Sequence, residues 1–145
     1  MTLPRVLIDT AVFVYAVGVE HPYRQSCRQL VDALAQQRFE GEASVEAVQE
    51  FCHQRARRTG DRPEAARSAR QVAALCALHE VSVEDLRTAL ELFATHERLQ
   101  ARDAVHAATA LNRGIGVIIS PDAAFEDVVG LQRLDPRDAA VALTG

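Results

Sequence analysis

Two short apolar runs, each closing on an acidic turn, restrict this chain more than anything else in it. Val6-Leu7-Ile8 ends at Asp9-Thr10, and Val117-Ile118-Ile119 ends at Ser120-Pro121-Asp122. Neither run is long enough for a helix, and neither alternates apolar with polar residues. Both therefore read as strands buried on both faces. Such strands belong to parallel sheets covered by helices on each side. Stretches of helical periodicity lie between and around them, which gives an α/β sandwich around a mainly parallel sheet. In these folds ligands gather beyond the carboxyl ends of the strands. Asp9 and Asp122 each follow a strand directly, so both fall on that edge.

The remaining elements follow from breaks and caps. Ala11 to Val17 stays apolar until Gly18 and His21-Pro22 interrupt it. A helix is expected from about Pro22 to Arg38, with Cys27, Leu30, Val31 and Leu34 on one face. Phe39 to Ser44 could hold a second strand. Ser44 suits an N-cap, and the helix behind it runs through Val48, Phe51 and Cys52 to Thr59-Gly60. Asp61-Arg62-Pro63-Glu64 has capping-box spacing and opens a helix to about His79. Ser82 begins another, carrying Leu86, Ala89, Leu90 and Phe93. Arg102 or Asp103 begins a further helix that stops before Gly114. A helical turn over Ala123 to Val128 and a last strand over Leu131 to Leu134 complete the pattern. Ala139 to Gly145 reads as a loosely held tail.

With 145 residues, 48% hydrophobic and 25% charged, the chain fits one ordinary domain, residues 1–145, with its core over about 5–136. Nothing near the start has the charged-then-apolar order of a targeting signal, and Asp9 breaks the first apolar stretch. No run approaches the roughly 18 apolar residues of a membrane span. A cytoplasmic location without membrane attachment is expected. Cys27, Cys52 and Cys76 are odd in number and widely spaced, which argues for separate buried thiols over a disulfide framework or zinc site. All 16 basic side chains are Arg. The absence of Lys excludes a Walker A loop, a Schiff-base enzyme and a kinase-type site. The net charge of −4 is unusual for a nucleic-acid-binding domain, yet four clustered acids would account for all of it, and bound divalent metal would cancel much of it locally.

The acids that lie against apolar sequence are Asp9, in Ile8-Asp9-Thr10; Asp103, in Ala101-Arg102-Asp103-Ala104-Val105-His106; and Asp122, after Ser120-Pro121. Carboxylates at the edge of core segments are costly unless they are hydrogen-bonded, paired or metal-bound. Singly, each has an ordinary reading: turn residue for Asp9 and Asp122, N-cap for Asp103, solvent-facing helix residue for Glu50. His106 reads either as a packed helix histidine or as a partner or proton shuttle beside Asp103. The Arg55 to Arg58 run reads as a solvated helix end.

Taken together, the segments VLIDTAVF, SVEAVQEF, LQARDAVHAATALNRG and VIISPDAAF, in this order, resemble PIN-domain ribonucleases of the VapC toxin type. The closing GLQRLDP is similar to the last strand of small PIN toxins. The resemblance spans about Arg5 to Pro136, and its first and third segments are the specific ones. It implies a PIN-like three-layer α/β/α sandwich with Asp9, Glu50, Asp103 and Asp122 as an acidic quartet holding Mg²⁺, or Mn²⁺ in its place. Glu46 lies one turn before Glu50 and competes with it for the helix position; Glu50 is preferred because it precedes Phe51. Thr10 and Arg102 are the expected substrate-side contacts. The resemblance further implies a type II toxin–antitoxin toxin, an endoribonuclease cutting RNA, with a VapB-type antitoxin partner and a homodimeric assembly.

Two other readings stand beside this one. A catalytically silent PIN-like module would bind RNA or protein without cutting. A haloacid-dehalogenase-like phosphatase would need a second acid where Ala11 stands and a Lys that is absent.

Overall fold

The computed structural model describes residues 5–144. The chain runs β1 (Arg5–Ile8), α1 (Thr10–Val17), α2 (Arg24–Ala35), β2 (Glu40–Ser44), α3 (Val45–Thr59), α4 (Arg62–Leu75), β3 (Ala77–His79), α5 (Val83–Thr95), α6 (Ala101–Leu111), β4 (Val117–Ile119), a 3₁₀ turn (Ala123–Asp127), β5 (Gln132–Leu134) and α7 (Pro136–Thr144). The strands form one sheet in the order β3-β2-β1-β4-β5, and all four pairings are parallel. The direction of winding reverses between β1 and β4. This is the switch point at which doubly wound sheets open a crevice.

The apolar runs are buried on both faces because successive side chains point opposite ways. Leu7 and Ile118 are register partners and join a core with Leu99, Phe125 and the alanines of α6. Ile8 and Ile119 are the next partners and join the other core, with Phe13, Leu30, Phe51, Val72 and Ala139. Helices α1, α2, α3, α4 and α7 cover the second core, while α5 and α6 cover the first. The three-layer sandwich is present as expected, with a sheet that is parallel throughout the described residues.

At Gly41 of β2 an added Cβ would lie 2.3 Å from a Leu34 methyl and 2.7 Å from Ile8. Glycine therefore lets α2 sit directly on the sheet. Gly60 ends α3 at φ 68°, a left-handed cap that favours glycine, as the Thr59-Gly60 break suggested. Ser82 and Asp85 complete a reciprocal capping box at the start of α5.

Several expectations are corrected. The apolar stretch after Asp9 is a helix, α1. Helix α2 starts at Arg24, past Pro22, and stops at Ala35, because Gln37 turns left-handed at φ 58°. Helix α4 ends at Leu75; Ala77–His79 leaves helical periodicity to pair with β2, whose edge would otherwise lack a partner. Helix α6 begins at Ala101 with Gln100 as cap, so Asp103 lies in the first turn and is not the cap. The tail is helix α7, with Ala139 and Ala140 buried against α2; the core thus continues past residue 136, and Gly145 lies outside the described residues. The three cysteines are free, but Cys27 alone is fully buried. Burial pushes the Cys27 and Cys76 thiols up to about 12.

Candidate active site

Four elements deliver side chains to the switch point. Asp9 leaves the end of β1, and its amide donates to Ile119 across the seam at 3.0 Å. Ser44, at the end of β2, caps α3 by accepting from Ala47 N, so strand and helix join without a loop. Glu50 then arrives from the second turn of α3. Asp103 and His106 come from one face of α6, whose buried alanines let it lie close to the sheet. Asp122 follows β4 and caps the 3₁₀ turn by accepting from Ala124 N at 2.9 Å. A cavity of about 410 Å³ opens here, with Asp9, Thr10, Glu50, Arg102, Asp103 and Asp122 in its wall.

The closest grouping is Asp9, Asp103 and His106. One ligand atom from each lies within 4.8 Å of the others. Asp9 and His106 are buried, while Asp103 is half-buried. His106 Nε2 lies 3.7 Å from Glu50 and 3.9 Å from Asp9, inside the range of charge attraction but too far for a hydrogen bond. Among the described residues it has no hydrogen-bond partner. Ser120, fully buried, donates to Asp9 Oδ2 at 2.7 Å and accepts from the Asp122 amide at 3.0 Å. Glu50 accepts from Gln54 and lies 3.2 Å from Arg102. Thr10 donates to the Ala47 carbonyl at 3.3 Å, tying α1 to α3 under the site.

The electrostatics are those of a site short of positive charge. Burial raises the Asp9 carboxyl above its usual range; His106 and Ser120 oppose this, and Glu50 and Asp122 add to it. Burial and then the neighbouring Asp9 push Asp103 up to about 6. Glu50 is held low by His106 against burial, with help from Arg102. Burial favours neutral His106, but Glu50, Asp9 and Asp103 outweigh it and raise the imidazole. A divalent cation fits these residues. Two carboxylates of raised pKa and an unpartnered buried nitrogen converge on one point, and the oxygen-rich set suits a hard ion.

The structure brings all six sequence-chosen residues to one cavity. Glu46 is exposed and absent from its wall, whereas Glu50 is part of it. Asp122 is exposed and stands outside the close grouping. Arg102 is paired with Glu50 at the rim of the cavity. Sequence reasoning missed Ser120; its only signal was a hydroxyl residue between an apolar strand and Pro121-Asp122. Arg113, near the end of α6, is committed to buried Asp85 at 2.9 Å. Arg55 is not simply solvated, because it pairs with Glu64 across α3 and α4 at 3.2 Å. Arg57 and Arg58 do remain exposed. With His53 and Arg102 they line a second cavity of about 510 Å³, which shares Glu50 and Gln54 with the acidic one.

Comparison with known proteins gives a consistent result. The PIN domain family model matches residues 6–131. Ribonuclease VapC7 of Mycobacterium tuberculosis is 42% identical over 97% of this chain and 98% of its own length. Ribonuclease VapC13 of the same organism is 28% identical over 89% of this chain and 98% of its own. Among solved structures, M. tuberculosis VapC20, described as a sarcin–ricin-loop-cleaving toxin, superposes with a TM-score of 0.68 at 20% identity over 88% of this chain and 98% of that one. VapBC2 from Rickettsia felis, bound to a DNA fragment from its promoter, gives 0.69 at 13% identity over 90% and 97%.

Proposed function

This chain belongs to the PIN-domain family, and from that premise we propose that it is the toxin of a type II toxin–antitoxin pair, a metal-dependent endoribonuclease that hydrolyses RNA phosphodiester bonds. The observation that carries the reading is the convergence of Asp9, Asp103 and His106 at the switch point, with Glu50 beside them. The matched relatives are named ribonucleases and span this chain almost end to end.

Asp9 and Asp103 would hold the divalent ion, which we take as Mg²⁺ with Mn²⁺ able to replace it, and Asp122 would complete the set directly or through water. Bound there, the ion neutralises charge at phosphorus and makes attacking water more acidic. Glu50, held ionised by His106, is placed to orient that water and accept its proton. His106 keeps the proton balance of Asp9 and Glu50 from within the protein. Thr10 fixes α1 against α3 and so sets the cavity width. Arg57, Arg58 and Arg102 border the acids and supply the positive charge along which a phosphate backbone can run. Arg102 would exchange Glu50 for a substrate phosphate.

The solved neighbours include toxin–antitoxin complexes. We therefore assign this chain a VapB-type antitoxin partner and a cytoplasmic setting. Among the described residues no helix is long and apolar enough to cross a membrane. Helix α5 exposes Val83, Leu86, Leu90 and Phe93 at 48–65%, spaced along one face, which supports a homodimer formed there. Light scattering of wild type and Leu90→Glu tests that assembly; equal masses would remove it.

The deciding experiment is an RNA cleavage assay on antitoxin-free protein, with Mg²⁺ or Mn²⁺ against EDTA, beside Asp9→Asn. Metal-dependent cutting lost in the variant is expected. Folded protein that leaves total cellular RNA intact with every metal would favour the silent binding module.

A further inference from the structure

One wall of the acidic cavity is aromatic. Tyr15 of α1 lines it, and two further rings, His21 and Tyr23, cluster against Tyr15. Tyr15 and His21 stack with centroids 4.2 Å apart and planes 16° from parallel. Tyr23 lies 5.9 Å from both rings, 16° from the plane of His21 and 27° from that of Tyr15. The Arg137 guanidinium covers Tyr23 at 4.5 Å. The cluster is braced by hydrogen bonds: His21 Nδ1 accepts from Tyr23 N at 3.1 Å, and Tyr23 donates its hydroxyl to Asp135 at 2.5 Å. The chain has two tyrosines, and both are here. Whereas Phe13, Phe39, Phe51 and Phe125 are buried in the cores, these three rings are half-buried, within reach of solvent.

We infer that Tyr15 is a base-stacking platform, on which an unpaired nucleobase next to the scissile phosphate lies. This deepens the reading of the cavity as an RNA site and rests on it. Proteins recognise single-stranded RNA by stacking splayed bases on aromatic rings, and every base offers a face for this. A ring already held by its neighbours loses little freedom when a base arrives. The subsite contributes affinity and registers the strand over the acids. It favours purines through their larger faces and does not read base edges.

The test compares a short single-stranded oligoadenylate with the same ribose-phosphate chain lacking bases, binding to the full chain with Ca²⁺ in place of Mg²⁺. Wild type is expected to bind the base-bearing strand roughly five- to 150-fold more tightly, the range that base–aromatic stacking gives. Tyr15→Ala should lose that preference while keeping wild-type affinity for the abasic strand; Tyr15→Phe should retain it. Tyr15→Leu fills the same apolar space without a ring, so it carries the test should the alanine variant not fold. Wild type binding both strands alike, or Tyr15→Leu keeping the preference, overturns the platform and leaves the nuclease reading intact. Binding of neither strand, together with no metal-dependent cutting, overturns both.

Discussion

Ser120 donates a 2.7 Å hydrogen bond to Asp9 across the seam between β4 and β1. This fixes one carboxylate oxygen and leaves the other to face the cavity. Partners of metal-binding carboxylates commonly alter metal affinity or activity by about 10–100-fold when removed. Ser120→Ala is expected to weaken Mg²⁺ binding and RNA cutting by about that factor with little change in fold. Calorimetric metal titration with parallel cleavage kinetics checks it, and unchanged metal affinity would contradict the role.

Burial and the neighbouring Asp9 raise Asp103 to about 6, against about 4 in an unfolded chain. A raised carboxylate adds stability below its unfolded value and loses it as pH climbs through the folded one. Between about pH 4 and 6 this group therefore makes the metal-free protein less stable as pH rises. Asp103→Asn should raise metal-free stability at neutral pH by about 1–2 kcal/mol, given partial exposure, while abolishing cleavage. Mg²⁺ should stabilise wild type, more strongly above pH 6 than below it, and leave the variant nearly unmoved. Thermal melts with and without Mg²⁺ decide; a variant less stable than wild type refutes the repulsion.

The helix acid can be settled by a pair of variants. Glu50 lines the cavity near His106, and Glu46 is exposed one turn away. Glu50→Gln should cut turnover by about a hundredfold or more, the scale of lost general-base catalysis. Glu46→Gln should stay within about twofold. The reverse ranking would move the role to Glu46.

Away from the site, Asp85 ties the start of α5 to the end of α6. It is 1% exposed, accepts from the Ser82 amide, Asn112 and Arg113, and is held well below the usual carboxylate range by these partners against burial. Removing one member of a buried pair costs about 3–5 kcal/mol. Asp85→Ala should lose an amount of that order in urea unfolding. Since its carboxyl is depressed, this contribution holds above about pH 4 and fades as pH falls below it. Equal urea midpoints would show that the clamp is dispensable.

The sheet and its site edge were legible in the sequence because an apolar run that stops on an acid suits a buried strand leading to a polar cleft and little else. Asp9, Asp103 and Asp122 stood out by their apolar surroundings, but only the resemblance to PIN-domain ribonucleases joined them with Glu50 into one set. Ser120 could not: its hydroxyl matters only because β4 lies beside β1, a fact of strand order. Strand β3 was hidden because Ala77-Leu78-His79 continues a helical pattern, and only the free edge of β2 makes it extended. Helix α7 was read as a tail since its alanines look weakly apolar until α2 is present to bury them.

The order of strands also has a consequence in time. Ser120 and Asp9 meet across 111 positions, and β4 lies inside the sheet, between β1 and β5, although it is among the last strands to be made. A nascent chain still short of Val117 lacks both the serine that steadies Asp9 and the strand on which the seam depends. Closing so long a loop comes late in folding. The seam, and with it the steadied Asp9 carboxylate, therefore forms only after β4 has been made.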